Sequence, residues 1–352
     1  MTIHGLRIAI VGGGVCGMVC AAALLKEGVD AHVYEAANVL GEDEARLAGV
    51  PLCSNSRRAL KAIGIWDAVG AHARQAFATA QGQLHGARGR EYYQFLSGMP
   101  GHEILPNGDL RDKTVDGIPR SILLGVLTRI VGPERINVDK RCVRIIESPR
   151  GAILHFQDGS TASAEVVLGA DGLRSTVRRY VTRSGDTGLD PHLKFSGTIC
   201  YRAYIPMDAI LAAGTTLDFS NQPFWFLGKG KHVMVYSIQG ATLANVIAFA
   251  SDLNETARSP EPAPETTREA ATSEVLEVFR GWGPEVTKLL ACADKYVKWS
   301  VDVVQPIPSE GWVRGRVTIL GDAVHGMHPA QAACTGQGIE DARLLGKLLG
   351  HS

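Results

Sequence analysis

Leu6-Arg7-Ile8-Ala9-Ile10-Val11 is a short apolar run that stops at three consecutive glycines, Gly12-Gly13-Gly14. Apolar positions on both faces mark a central parallel strand. Val15 to Lys26 follows with alanines and leucines, and Gly28 closes it as a helix C-cap would. Ala31-His32-Val33-Tyr34-Glu35 then reads as a second strand that ends on an acid. Further along, Ala152 to Phe156, Asp158-Gly159 and Ala164 to Leu168 read as a hairpin around a D-G turn. Its second strand runs into Gly169-Ala170-Asp171-Gly172 and a basic helix, Ser175 to Tyr180. Arg316 to Leu320 is another strand, and it ends in Gly321-Asp322.

Between these segments, Leu193 to Ala250 is strand-like, as in Thr198–Tyr204, Phe224–Leu227, His232–Ile238 and Asn245–Ala250. Turn-rich pieces such as Gly228-Lys229-Gly230 separate them, the composition of an antiparallel sheet. Ser259 to Thr267 is proline-rich and reads as a loop, after which Arg268 to Phe279 returns to helical spacing. The pattern predicts an α/β chain (α+β overall) in which a Rossmann-like domain carries an inserted antiparallel-sheet domain. The expected boundaries are 1–190 for the first part of the nucleotide-binding domain (with some substrate-side elements), 191–297 for the sheet domain with helices, and 298–352 for the second part.

The 352 residues suffice for about two domains and a large core. Lysine plus arginine equals aspartate plus glutamate at 36 each, so the basic footprint of a nucleic-acid binder is missing. Seven cysteines, widely spaced and without a Cys-x-x-Cys pair, read as free thiols of a reducing compartment. No run approaches the roughly 18 apolar residues of a membrane span. The chain therefore reads as soluble and cytoplasmic, with no nucleic-acid or membrane partner.

Gly12, Gly14 and Gly17 fill the G-x-G-x-x-G spacing between a strand and a helix. The three serve a tight turn, close approach of backbone to a pyrophosphate, and close helix–strand contact. The helix N-terminus offers free N–H groups to the diphosphate. Glu35 stands where a carboxylate accepts from both hydroxyls of an adenosine ribose, which favours an unphosphorylated ribose. This unit alone leaves FAD and NAD equally open. Asp171 and Asp322 both sit just past a buried strand, where open sheets bind ligands, although either acid alone also reads as a turn or cap residue.

Three motifs together carry a resemblance: Gly12–Gly17 (G-G-G-V-C-G), Gly169–Gly172 (G-A-D-G) and Gly321–Pro329 (G-D-A-V-H-G-M-H-P), the last followed by Thr335-Gly336-Gln337-Gly338-Ile339-Glu340-Asp341-Ala342. In order, spacing and flanking strands, the chain resembles the class A flavoprotein monooxygenases, the single-component FAD-dependent aromatic hydroxylases. The tail and the phrase Lys231–Tyr236 look most like their salicylate-hydroxylase-like branch, often fungal. The resemblance implies FAD as cofactor, with NADH or NADPH as transient co-substrate. It places Glu35 on the adenosine ribose, Arg120 near the pyrophosphate and ribityl chain, and Asp322 on a ribityl hydroxyl. Asp171-Gly172 belongs to a motif implicated in both FAD and NAD(P)H binding. Thr335-Gly336 opens a last helix whose N-terminus faces the flavin pyrimidine.

The same resemblance implies hydroxylation of a small phenolic or salicylate-like substrate by dioxygen, through a flavin hydroperoxide. Arg202 and Tyr236 match positions near the substrate in related enzymes, against plainer readings as a surface ion-pair residue and a sheet-packing aromatic. His328 is a flavin-proximal or structural histidine. His325, His328 and Asp322 are too poorly spaced for a metal site, and none is expected. A monomer or homodimer is expected. Ser54 stands where the family has a proline, and the chain stops at Ser352, where relatives usually continue for several helical elements. A C-terminally shortened member is therefore expected. The readings beside hydroxylation are oxidative decarboxylation, dearomatisation or epoxidation of another small molecule, and a truncated flavin-binding protein without turnover.

Overall fold

The computed structural model describes residues 6–40, 49–71, 93–105, 116–184, 190–252 and 267–350. The chain divides into two compact units. One comprises Met1–Arg74, Asp116–Leu193 and Val303–Ser352, and the other Gln75–Val115 and Lys194–Asp302. The chain opens with β1 (Arg7–Val11), α1 (Val15–Lys26), β2 (Asp30–Tyr34), β3 (Gly49–Leu52), α2 (Ser54–Ile63) and β4 (Gln94–Ser97). It continues with β5 (Asp116–Pro119), α3 (Arg120–Val131), β6 (Ile136–Asn137), β7 (Cys142–Ser148), β8 (Gly151–Phe156), β9 (Thr161–Ala164), β10 (Val166–Gly169) and α4 (Thr176–Val181). Then come β11 (Leu193–Pro206), α5 (Met207–Ala212), β12 (Phe224–Gly228), β13 (Lys231–Ile238), β14 (Leu243–Ser251) and β15 (Arg268–Ala271). The last elements are α6 (Thr272–Val278), α7 (Pro284–Ala291), β16 (Lys295–Val304), β17 (Val313–Arg314), β18 (Val317–Ile319), α8 (Asp322–His325) and α9 (Cys334–Gly350).

In the first unit a six-stranded sheet runs β17-β18-β10-β1-β2-β6, parallel except for the edge pair β17–β18. Ile8 to Val11 are buried on both faces of β1, as a central parallel strand requires. With β2 on one side of β1 and β10 on the other, the chain switches direction at β1, and the ends of these strands form the crevice where such sheets bind ligands. The helix α9 packs against α1 along Gly338, Ala342, Gly346 and Gly350, one residue per turn. A Cβ on Gly346 would stand 2.8 Å from that of Ala23, and one on Gly338 2.3 Å from the Cys16 sulfur. Small residues at this i, i+4 spacing let the two helices approach closely.

The expected hairpin at Ala152–Leu168 forms differently. β8 pairs with β9 inside a small antiparallel sheet with β7, and the chain then leaves it to enter the parallel sheet as β10. The switch is made at Glu165, whose N–H donates to the Arg7 carbonyl at 3.0 Å and whose carboxylate accepts from the Arg7 N–H at 2.8 Å. The apolar run Val166–Leu168 is needed by the buried sheet, and so one continuous apolar segment serves two sheets.

The second unit is built on a sheet ordered β15-β16-β11-β14-β13-β12-β4. Its apolar face carries Tyr201, Ala203, Ile205, Val233, Val235, Val246, Ala248, Phe224 and Phe226, packed with Ile210, Val275 and Leu289 of α5, α6 and α7. The opposite face carries Arg202, Tyr204, Asn245, Tyr236, Met234 and Trp225, placed side by side by the pairings Arg202–Ile247, Tyr204–Asn245, Tyr236–Asn245 and Trp225–Met234. Arg268 to Ala271, expected to open a helix, is instead strand β15 paired with Lys295–Lys298. The sheet edge captures the segment because its backbone groups find partners there, and the helix begins only at Thr272. Most of the proline-rich stretch Ser259–Thr267 lies outside the described residues.

Among the described residues no helix is long and apolar enough to cross a membrane. All seven cysteines are free thiols.

Trp282 lies against two glycines, and a Cβ on Gly98 would stand 2.3 Å from its ring. Gly98→Ala is therefore expected to overpack this site and lower unfolding stability by about 1–3 kcal/mol. Gly125→Ala, in α3 where a Cβ meets nothing within 4 Å, is expected to stabilise by up to about 1 kcal/mol. Urea unfolding of the two variants checks both signs.

Candidate flavin and substrate sites

Chemistry gathers on one edge of the parallel sheet because four strands end there. β1 runs into Gly12, β2 into Glu35, β10 into Ala170-Asp171-Gly172, and β18 into Leu320-Gly321-Asp322. Gly12 has φ +106, and a Cβ on it would stand 2.3 Å from the Ala170 carbonyl oxygen and 2.9 Å from the Asp171 nitrogen. The first two motifs thus touch backbone to backbone. A Cβ on Gly17 would lie 2.0 Å from the Gly12 oxygen, so only glycine lets α1 start against its own turn. Gly14 caps α1 without any side-chain hydrogen bond, which leaves first-turn N–H groups for a ligand.

Asp171 is committed to its own turn. Its carboxylate accepts from the Ser175 hydroxyl, from Thr176 N at 2.8 Å and from Val177 N at 3.1 Å, capping α4, while burial pushes its carboxyl upward. On that helix Arg178 is fully buried. Its Nε donates to Asp190 at 2.9 Å, its Nη1 to the Ala323 carbonyl at 3.0 Å, and its Nη2 to Asp190 and to the Leu173 carbonyl. One guanidinium therefore ties the turn that follows β10 to the turn that follows β18.

Asp322 opens α8. Burial raises its pKa, opposed by the fields of His325 and Arg120. From α9, Asp341 accepts from Gly321 N at 2.9 Å and meets His325 Nε2 at 2.6 Å, anchoring the last helix to this turn. His328 Nδ1 accepts from Ala330 N at 3.2 Å and so caps the short turn Pro329–Gln331, and burial lowers its pKa. Thr335 and Gly336 lie in the first turn of α9, where a Cβ on Gly336 would stand 2.6 Å from the Ser56 hydroxyl of α2.

The second unit has its own polar group. Arg202 Nε donates to Asn245 Oδ1 at 2.9 Å, and Asn245 Nδ2 donates to the Tyr236 hydroxyl at 2.5 Å. Arg202 also lies 4.9 Å from the centre of the Tyr204 ring. Its Nη2 is buried with no hydrogen-bond partner, a state that costs about 1–3 kcal/mol unless an acceptor arrives. Asn245 itself is fully buried.

The family model described as FAD binding domain matches residues 6–352. The chain belongs to this family of FAD-dependent aromatic hydroxylases. It is 30% identical over 359 residues to a salicylate hydroxylase of Pseudomonas putida, an alignment covering 99% of this chain and 78% of that protein. It is 31% identical over 353 residues to a 6-methylsalicylate 1-monooxygenase of Aspergillus terreus, covering 97% of this chain and 74% of that one. Among solved structures, a salicylate hydroxylase substrate complex superposes with a TM-score of 0.79 at 27% identity, covering 98% of this chain and 79% of the other. A 2,6-dihydroxypyridine-3-hydroxylase from Arthrobacter nicotinovorans, at 19% identity and a TM-score of 0.74, shares the fold.

The hydroxylase's first unit fits FAD. The uncapped start of α1 faces a cation, since Arg120 Nη2 stands 3.8 Å from where a Gly14 Cβ would lie, and its Nε is buried without a partner. A diphosphate answers both groups. Glu35 accepts from Gly13 N at 2.5 Å and Ala37 N at 2.8 Å, which leaves about half of its lone-pair sites for ribose hydroxyls.

Two residues of these sites, Arg178 and Asn245, escaped the sequence reading, and Asp341 was read as part of the third motif without a role of its own. Arg178 is one of two adjacent arginines, and nothing in the run shows which is buried. Asn245 left a trace, as a lone amide inside an otherwise apolar strand.

Arg178→Met in this hydroxylase strands a buried Asp190 charge and is expected to cost about 3–5 kcal/mol, whereas pairing it with Asp190→Leu recovers the part due to the stranded charge and not the part due to the Ala323 and Leu173 carbonyls. Thermal unfolding of the single and double variants checks it. For Asp322, a pKa raised in the folded state means that folding takes up a proton, so its contribution to apoprotein stability falls as pH rises through the folded value. Asp322→Asn is expected to raise the Tm of the apoprotein at pH 7, with the gain shrinking towards pH 4, as a pH series of melts would show.

Proposed function

We propose that this hydroxylase oxidises a small aromatic acid of the salicylate type, held by the polar sheet face of the second unit, with FAD held by the first. The observation that carries the substrate reading is the buried, unpartnered Nη2 of Arg202, a guanidinium whose Nε is joined through Asn245 to the Tyr236 hydroxyl. A carboxylate or phenolate supplies the missing acceptor through a charge-assisted hydrogen bond. The names of the relatives agree, since salicylate and 6-methylsalicylate both carry a carboxylate next to a phenol.

In this reading Gly12, Gly14 and Gly17 cradle the diphosphate, Arg120 neutralises it, and Glu35 accepts from the adenosine ribose. Asp322 accepts from a ribityl hydroxyl, and Gly321, Asp171 and Gly172 shape the turns around it. Thr335 and Gly336 present the N-terminus of α9, whose partial positive charge favours negative charge on the ring by about 0.3–1 kcal/mol. FAD, reduced by NAD(P)H, supplies the activation of dioxygen, and the protein supplies orientation and charge. Arg202 and Tyr236 bind and polarise the acid. His328, kept neutral by burial, is assigned the positioning of the turn that leads into α9.

Purified chain loaded with FAD is expected to oxidise NADH or NADPH faster when salicylate is added, with a hydroxylated or decarboxylated product identified by mass. Arg202→Met is expected to raise KM for salicylate about 10- to 150-fold, equivalent to a charged hydrogen bond of about 1.5–3 kcal/mol, with a smaller change in kcat. Acceleration by neutral aromatics but not by aromatic acids would overturn the assignment.

A further inference from the structure

The second unit's polar face contains a group that touches no solvent and yet determines what the face presents. Asn245 is fully buried at the centre of the sheet, opposite Tyr204 on one neighbouring strand and Tyr236 on the other. Its amide orientation is dictated by chemistry. Arg202 Nε only donates, so the atom it meets at 2.9 Å is the amide oxygen. The amide nitrogen must then be the atom facing Tyr236, and it donates to the phenol oxygen at 2.5 Å.

The direction of the chain follows. A phenol oxygen that accepts from Asn245 keeps its own proton for another partner, and Arg202 Nη2, buried and unpartnered, is also a donor. Both free ends of the relay are therefore donors, one neutral and one cationic, and both are held by the same amide.

We propose that Asn245 is a positioning residue that sets the hydrogen-bond polarity of the substrate site, making Arg202 and Tyr236 a paired donor receptor selective for an oxyanion over an uncharged oxygen. The inference rests on the reading of this face as the substrate site. An aspartate at 245 has nearly the same shape and opposite consequences. Its carboxylate accepts from Arg202 and from Tyr236 alike, turns the tyrosine proton inward, and neutralises the guanidinium. Anion preference is lost without any change in packing volume. A merely structural Asn245 would instead affect stability and all ligands together.

The test is calorimetric titration of the FAD-loaded protein with salicylate and with its uncharged analogue, 2-hydroxybenzyl alcohol, alongside thermal melts and flavin content. The wild type is expected to prefer salicylate by at least tenfold. Asn245→Asp is expected to weaken salicylate at least 30-fold while leaving the alcohol within about threefold and the flavin content unchanged. Asn245→Gln, which keeps the amide's polarity, is expected to retain part of the preference, so a folding defect in one variant does not decide the result.

Wild-type preference that survives intact in Asn245→Asp overturns the role of Asn245 and leaves the substrate reading standing. Equal binding of acid and alcohol by the wild type, or binding of neither, overturns the oxyanion receptor and the substrate reading with it.

Discussion

The turns that follow β10 and β18 hang on one buried cation. Arg178 has no water to solvate it, so its donors must be met by protein, and they are met by Asp190, the Ala323 carbonyl and the Leu173 carbonyl. Two of those acceptors belong to the turns that carry the second and third motifs. A buried charge tolerates little displacement, because losing an acceptor leaves an unsatisfied polar group in low dielectric. The turns after β10 and β18 are therefore held in register with each other by electrostatics and not by apolar packing alone. Gly12 then locks the first motif onto the second through backbone contact that no side chain would permit.

The two units handle polarity in different ways. In the first, carboxylates are consumed by the protein itself. Asp171 caps α4 and Asp341 anchors α9, while Glu35 spends its carboxylate on the N–H groups of Gly13 and Ala37. Asp322 carries a cost in the folded chain, since burial disfavours its charge. In the second unit the same economy is achieved with a neutral amide, Asn245, which holds a cation and a phenol in one relay inside a sheet whose other face packs the apolar core. One strand alternation thus separates core from chemistry, with Tyr201 and Ala203 facing the helices and Arg202 and Tyr204 facing away from them.

Much of this was legible in the linear pattern. Strand, glycine turn, helix, strand and acid at the start of the chain match β1, α1 and β2, because a glycine-interrupted apolar run has few other solutions. The three motifs sufficed to name the family, and four strand-like segments of the middle region became β11 to β14. The departures came where one segment had two acceptable partners. Ala152–Leu168 was divided between two sheets, and Arg268–Ala271 was captured by a sheet edge.

The sequence by itself determined where backbone must come close to backbone, since only glycine is tolerated there, and which strand ends carry acids. The tertiary structure alone decided which of those acids remain available, because that depends on whether a helix N-terminus, a histidine or an arginine from elsewhere in the chain arrives first. It alone also singled out Arg178 from its neighbour Arg179, and Asn245 as the hinge between Arg202 and Tyr236. Burial and hydrogen-bond direction are properties of residues brought together across the fold, by strands that lie far apart in the chain.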